Sequence, residues 1–264
     1  MLQALFQNKL GHAIQDGCFK CIEDTLTSSV IGLLQYLPDE LFWSLLRTSC
    51  GESSKTLPES IGTISDVHFW ERLSADGTYN SLCVEPDVWI ETTDYDILIE
   101  AKKSDSSTDN AQNIHQWFNE IVALKRNSEN SSDRKLIFLA LGGNSTLKDQ
   151  VVEINDYLQI VHTGSWYDLL RGVYNLKRMI EQEHQQKGSA NYVRILDDVI
   201  RAMQLHGIVN TIWLDSLSST KIHFSKIPYF AQKWSSDNLD FFKPIINKQY
   251  SIDTYSLSEI WKIK

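Results

Sequence analysis

The chain has 264 residues, 34 of them acidic and 25 basic, for a formal net charge of −9 at neutral pH. That length exceeds the usual ~100–150-residue domain and allows one compact domain plus an appendage, while no apolar run approaches the ~18–20 residues that cross a bilayer. A cytoplasmic protein is expected, because the N-terminal residues lack a basic flank, apolar stretch and cleavage site, and the cysteines, a lone Cys18-x-x-Cys21 with Cys50 and Cys83 far apart, read as reduced thiols.

In chain order, Ile22, Leu26, Val30, Leu33, Leu34 and Leu37 recur at helical spacing ahead of Pro38, with Glu23 and Asp24 in the expected first turn. Val84 to Glu91 and Asp96 to Lys102 read as the strands of a β-hairpin that reverses over Thr92-Thr93-Asp94-Tyr95. In the second strand Ile97, Ile99 and Ala101 share one face, and Glu100 and Lys102 project from the other. An even loop centred between Thr93 and Asp94 puts Asp87 directly opposite Glu100, with Cβ atoms roughly 4.5–5.5 Å apart.

Asp109 is the expected cap of a helix whose apolar stripe is Ala111, Ile114, Trp117, Phe118 and Ile121, leaving Gln112, His115 and Gln116 near one another. Polar loops are expected at Ser104 to Asn110 and Asn127 to Asp133. Lys135 to Leu141 then forms a buried strand stopped by Gly142-Gly143-Asn144. Strand, helix and strand in this succession favour a parallel, right-handed crossover, hence a mixed sheet covered by helices. Tyr157 to Val161 is strand-like, and the Ser165-Trp166 junction is the expected end of a core over residues 1–165.

The remainder, 166–264, reads as an extension packed on the core or on a partner. It holds two amphipathic helices, Trp166 to Gln186 and Asn191 to His206, and a tail from 221 to 264 that mixes Lys221, Lys226, Lys233 and Lys243 with Phe224, Tyr229, Trp234 and Phe241. Cations interleaved with aromatic rings suit a nucleic-acid surface, and equally suit packing on the domain or docking to a partner.

The hairpin carries the chemistry. Two carboxylates directly opposite on adjacent strands repel, and a hard divalent cation that takes oxygen ligands relieves the repulsion. Magnesium is the first candidate. Lys102, two residues along the same face as Glu100, can orient an attacking water or stabilise charge on a phosphate. The plainer alternative is a solvated hairpin with a polar outer face. Against it, Trp89 and Leu98 stand among the charged residues, so both faces are too apolar for a free ribbon.

Pro86-Asp87 followed by Glu100-Ala101-Lys102 resembles the signature of the PD-(D/E)xK nuclease superfamily, over approximately residues 20 to 165. The resemblance implies a restriction-endonuclease-like α/β fold: a helix, a three-strand meander, a second helix and a further strand. It implies Asp87 and Glu100 as metal ligands, the Ala101 carbonyl as another, Lys102 as the residue that positions the attacking water, and Glu23 as an acid supplied by the first helix. Gln112 looks like the glutamine many relatives carry on the second helix, with Gln116 a rival one turn later. For Glu23 the alternative is simple complementation of the helix dipole, and for the glutamines a solvated helix face. The activity implied is Mg²⁺-dependent hydrolysis of DNA, with Mn²⁺ as substitute, in the manner of bacterial restriction or anti-phage nucleases. The rival is a silent nuclease-fold subunit that binds nucleic acid or assembles with protein. The net charge repels a polyanion, so a partner protein or homo-oligomer is expected to supply the missing electrostatics.

Overall fold

The computed structural model describes residues 2–7, 9, 14–15, 18–19, 21–106, 108, 110–128, 134–154, 157–182 and 189–209. A short helix α1 (Leu2–Phe6) and strands β1 (Ile14–Gln15) and β2 (Cys18–Phe19) precede helices α2 (Glu23–Leu34) and α3 (Asp39–Ser49) and a 3-10 turn at Gly51–Lys55. Strands β3 (Ile64–Phe69), β4 (Leu73–Ser74), β5 (Cys83–Val84), β6 (Val88–Thr92) and β7 (Tyr95–Ala101) lead to helix α4 (Ile114–Ser128). Strands β8 (Lys135–Leu141), β9 (Gln150–Ile154) and β10 (Tyr157–Gly164) and helices α5 (Trp166–Gln182) and α6 (Ser189–Leu205) follow.

The main sheet has six strands in the order β3-β6-β7-β8-β10-β9. Strands β3, β6 and β7 form an antiparallel meander, β7, β8 and β10 run parallel, and β9 returns antiparallel on β10. This is the expected mixed sheet, and α4 makes the crossover from β7 to β8. The β6–β7 register pairs Val88 with Ile99, Trp89 with Leu98, Ile90 with Ile97 and Glu91 with Asp96. Extended by one residue, it sets Asp87 opposite Glu100, as the turn centred between Thr93 and Asp94 requires. Thr92 secures that turn: its hydroxyl accepts from the Tyr95 amide at 2.9 Å and donates to the Ile61 carbonyl at 2.7 Å.

Both faces of the sheet are buried, for the reason the sequence shows: β7 and β8 carry apolar residues on both faces. Val88, Ile90, Ile97, Ile99, Ala101, Ile137, Leu139 and Leu141 join the core formed with α2, α3, α5 and α6. Trp89, Leu98, Phe138 and Ala140 pack on the other side beneath Trp117, Ile121 and Leu124 of α4. Residues 1–210 form the first of two units of the chain. Helices α5 and α6 lie in the first and bury Leu169, Leu170 and Val173, then Leu196, Val199, Ile200 and Met203, in the same core as the sheet. The tail from 221 to 264 falls outside the described residues, as do the second unit as a whole and Asp109.

The first arm of the hairpin, expected over Val84 to Glu91, is split by Pro86: Val84 pairs with Leu73 of β4, and β6 begins at Val88. Other local differences from expectation also have physical causes. Helix α4 begins at Ile114 and not near Asp109, because the Asn113 side-chain oxygen accepts the His115 amide at 2.9 Å and starts the helix there; Gln112 and Ala111 therefore precede it. Helix α3 follows directly on Pro38, which stands at its N-cap, three residues beyond the end cap of α2 at Gln35. Strand β9 is unanticipated, since the adjacent valines Val151 and Val152 blur its two-residue period.

If α6 is part of the folding unit, Met203→Ala, at a fully buried position, will lower unfolding free energy by about 2–5 kcal/mol in urea denaturation. A loss below about 0.5 kcal/mol would mark the helix as dispensable.

Candidate metal centre

The hairpin register, the start of α2 and the α4 crossover converge at one end of the sheet, beyond the carboxyl ends of β7 and β8. Each functional side chain there is fixed by a separate contact. Asp87 stands just before β6 and is 7% exposed. Its Oδ2 accepts the Ala101 amide at 2.9 Å, across the hairpin, and its Oδ1 accepts the Trp70 indole N–H at 2.9 Å. Trp70 adopts a φ of 50°, unusual for a bulky residue, while its own amide donates to the Asp87 carbonyl at 3.2 Å. The strained turn after β3 thus aims an indole at the acid.

Glu100, 2% exposed, shares its sheet face with Asp87. The Lys102 ammonium, 6% exposed, donates to Glu100 Oε1 and lies 3.5 Å from Glu23 Oε1 and 3.5 Å from Gln116 Oε1. The lysine backbone is gripped from both sides: its amide donates to Leu141 at 2.8 Å and its carbonyl accepts the Trp166 indole at 2.6 Å. Asp105 strengthens this grip by capping α5, taking the Trp166 and Tyr167 amides at 2.8 and 3.1 Å. Gly143, at φ 64°, lets the β8–β9 connection pass the lysine, for a Cβ there would stand 2.7 Å from Lys102 Cγ.

Glu23 opens α2 and reaches the same point. Its Oε2 accepts the Lys103 amide at 3.1 Å and the Asn110 side-chain amide at 2.6 Å. A ligand oxygen of Glu23, one of Asp87 and one of Glu100 all lie within 4.8 Å of one another. The acid expected from the first helix therefore does more than face the helix dipole.

Gln112, expected on the second helix, instead precedes α4. Its amide N–H groups donate to the carbonyls of Glu100 and Gly142 at 3.0 and 3.1 Å, and its oxygen accepts the Trp117 indole at 2.8 Å. It ties the ends of β7 and β8 together and has its polar atoms engaged in doing so. Gln116, on α4 proper, is the glutamine beside the lysine. One acid absent from the sequence reading joins the cluster: Glu120, 1% exposed, next to Glu100 and Gln116. Its signal was available, since Glu120 falls four residues after Gln116 among the buried Trp117, Ile121, Ala123 and Leu124.

Four carboxyl groups, from Glu23, Asp87, Glu100 and Glu120, thus converge on the ammonium of Lys102. Burial, reinforced by the charges of Glu100 and Glu23, raises Asp87 well above the ordinary carboxylate range. Burial and then Glu120 do the same to Glu100. Burial and Asp87 push Glu120 up to about 8. Burial works against the Lys102 ammonium, yet Glu100, Glu23 and Asp87 outweigh it and keep the lysine charged. The far end of the same hairpin provides a comparison. There Glu91 and Asp96 are also directly opposite, but Arg134 donates to both, at 2.9 and 3.1 Å, and His68 pairs with Glu91 at 2.9 Å. One acid pair is bridged by a guanidinium and covered by an imidazole, whereas the other belongs to a group of four acids around one ammonium. An all-oxygen donor set in which acids outnumber the ammonium fits a hard divalent cation such as Mg²⁺ or Mn²⁺.

No family model, curated protein or solved structure matches this chain. Among the described residues no helix is long and apolar enough to cross a membrane.

The raised carboxyls give a stability signature. Unfolded, these groups release their protons in the ordinary range; folded, they hold them to higher pH, so the stability they contribute is full at low pH and is lost as pH rises, through about 8 in the case of Glu120. In chelator the melting temperature is expected to fall between about pH 6.5 and about pH 8.5, and saturating Mg²⁺ to restore more of it at the upper end, because a cation binds the ionised form. A cation effect of equal size across that window would contradict the assignment.

Proposed function

We propose that this protein is a divalent-metal-dependent nuclease that hydrolyses phosphodiester bonds of DNA on a restriction-endonuclease-like core. The observation that carries the reading is the meeting of Glu23, Asp87 and Glu100 within 4.8 Å beside the Lys102 ammonium, each delivered by a different stretch of chain. The order of α2, the β3-β6-β7 meander, α4 and β8 supports it, being the order that the Asp87 and Glu100-Ala101-Lys102 signature implies.

Asp87, Glu100 and Glu23 are the side chains that would hold Mg²⁺, with the Ala101 carbonyl as a further donor and Mn²⁺ as a substitute. When bound, the ion supplies Lewis acidity toward a phosphoryl oxygen and a more acidic water. The protein's own groups do the rest. Lys102, kept protonated by its acid neighbours, places a fixed positive charge where the phosphate gains negative charge and can orient the attacking water. Gln116 limits the directions open to that ammonium. Trp70 and the Ala101 amide hold Asp87 to one rotamer, so that little reorganisation remains for the reacting state. Burial lowers the local dielectric and strengthens each of these interactions.

Weak affinity for bare DNA accompanies the net charge of −9, which accords with an activity held in check until a partner or a second copy adds positive surface. Cleavage of plasmid, linear duplex and single-stranded DNA in Mg²⁺ or Mn²⁺ tests the proposal. Asp87→Ala and Lys102→Ala are expected to lower the rate by about 10²–10³-fold or more. Equal rates in these variants and the parent would refute the chemistry, and binding of metal without cleavage of any substrate would favour a silent nuclease-fold module.

A further inference from the structure

Exposed aromatic rings collect on one flank of the acidic centre. Tyr79, in the loop between β4 and β5, is 72% exposed, and its ring meets Phe118 of α4 in a tilted stack with centroids 5.0 Å apart. The exposed His115 adds an edge-on contact at 5.9 Å. Leu82 and Ile114, also exposed, stand on the same two segments. The loop is firmly braced. Asn119, buried on α4, accepts the Tyr79 amide at 2.9 Å and donates to the Asn80 side-chain oxygen at 3.0 Å, and Asn80 donates to the Cys83 carbonyl at 3.2 Å. A buried amide with both polar ends committed to one loop thus holds an aromatic ring out in water. An idle surface ring needs no such support, and a contiguous exposed apolar surface marks a place of contact.

This ledge adjoins the metal centre through both of its segments. The loop leads by way of β5 into Asp87, and His115 precedes Gln116, whose oxygen lies 3.5 Å from the Lys102 ammonium. Charge distinguishes it as well. The chain carries 34 acids in 264 residues, yet 77–84 and 110–119, the segments that build the ledge, contain none. Arg126 lies against the same loop, since a Cβ on Gly77 would stand 2.5 Å from its guanidinium. A neutral aromatic surface with a cation beside it is where an acidic protein can receive a polyanion. The buried positions of Asp87, Glu100 and Lys102 favour a backbone that bends freely over a stiff duplex.

We propose that Tyr79, His115 and Phe118 form a stacking platform for an unpaired nucleobase, and that DNA enters the neighbouring site as a single strand. The open side of the Tyr79 ring receives the base, Phe118 backs that ring, and His115 borders it. In a duplex the base faces are stacked on one another and are closed to such a platform. The bracing by Asn119 fixes the loop in advance, so little conformational freedom is lost when the strand binds. The inference rests on the nuclease reading of the acidic centre and gives it a substrate class.

The test compares an oligothymidylate with an abasic oligonucleotide of the same length, equal in phosphate charge and lacking the bases. Binding is read by fluorescence anisotropy in Mg²⁺ with Lys102→Ala, which keeps the strand intact, and cleavage is read with the parent protein. Lys102→Ala is expected to bind the oligothymidylate about 5- to 100-fold more tightly than the abasic strand. Adding Tyr79→Ala is expected to remove that preference, and Tyr79→Phe to keep it. Equal affinity for the two strands would overturn the proposal, as would a preference that survives Tyr79→Ala. Binding of neither strand would overturn it too and assign the ledge to a protein partner. The comparison of the two strands on the unaltered platform decides the point even if a Tyr79 variant folds poorly. A base preference without cleavage by the parent would defeat the nuclease reading and leave this one standing. Cleavage without a base preference would do the reverse.

Discussion

The site depends on the pairing of two strands. The β6–β7 register places Asp87 across from Glu100, and because side chains alternate with a period of two, a slip of one strand by one residue would send its acid to the opposite face, into the core under α2, α3 and α5, and part the pair. Apolar residues on both faces forbid that slip. Ile90, Ile97 and Ile99 fit one side and Trp89 and Leu98 the other, so the same packing that stabilises the sheet also sets the acids against each other. Folding energy gained over the length of the hairpin holds an electrostatically unfavourable arrangement at its end.

Three supports keep that arrangement in place. Trp70 strains its own backbone to donate to Asp87, the α5 N-terminus holds Lys102 through Trp166 and Asp105, and Gln112 binds the ends of β7 and β8. None of these residues carries a charge into the cluster except Asp105, which is spent on capping α5. They fix the backbone and the rotamers and leave the electrostatic imbalance untouched. Such a division, with neutral groups for geometry and acids in excess for affinity, is what a cation site needs and a purely structural network does not. The price is stability in the absence of the ion, since buried carboxyls must hold protons they would shed in water.

The hairpin was legible in the sequence because its signal is local: alternation in 96–102, a polar four-residue reversal, and acids at positions the register makes opposite. Glu23 was legible for a similar reason, standing in the first turn of a strongly periodic helix. The crossover through α4 followed from a buried strand placed after a helix. Glu120 was harder, because its meaning lies in where α4 packs, and a single charge within an apolar stripe is visible only as an irregularity. The start of α4 is set by Asn113, whose side chain accepts the His115 amide, a choice of cap that spacing alone does not decide, and Gln112 precedes the helix as a result. Trp70 could not be read at all. Its function comes from a positive φ, imposed by the path from β3 toward β4, which no pattern of residue types announces.

The central claim is that Asp87 and Glu100 grip a common cation. Crystals soaked in Mn²⁺ and measured at an anomalous wavelength test it most directly. The account predicts a strong peak between the two carboxylates, at about 2.0–2.3 Å from an oxygen of each, and none at the Glu91 and Asp96 pair that Arg134 already bridges. Density confined to surface acids, with Asp87 and Glu100 unoccupied at saturating Mn²⁺, would contradict it.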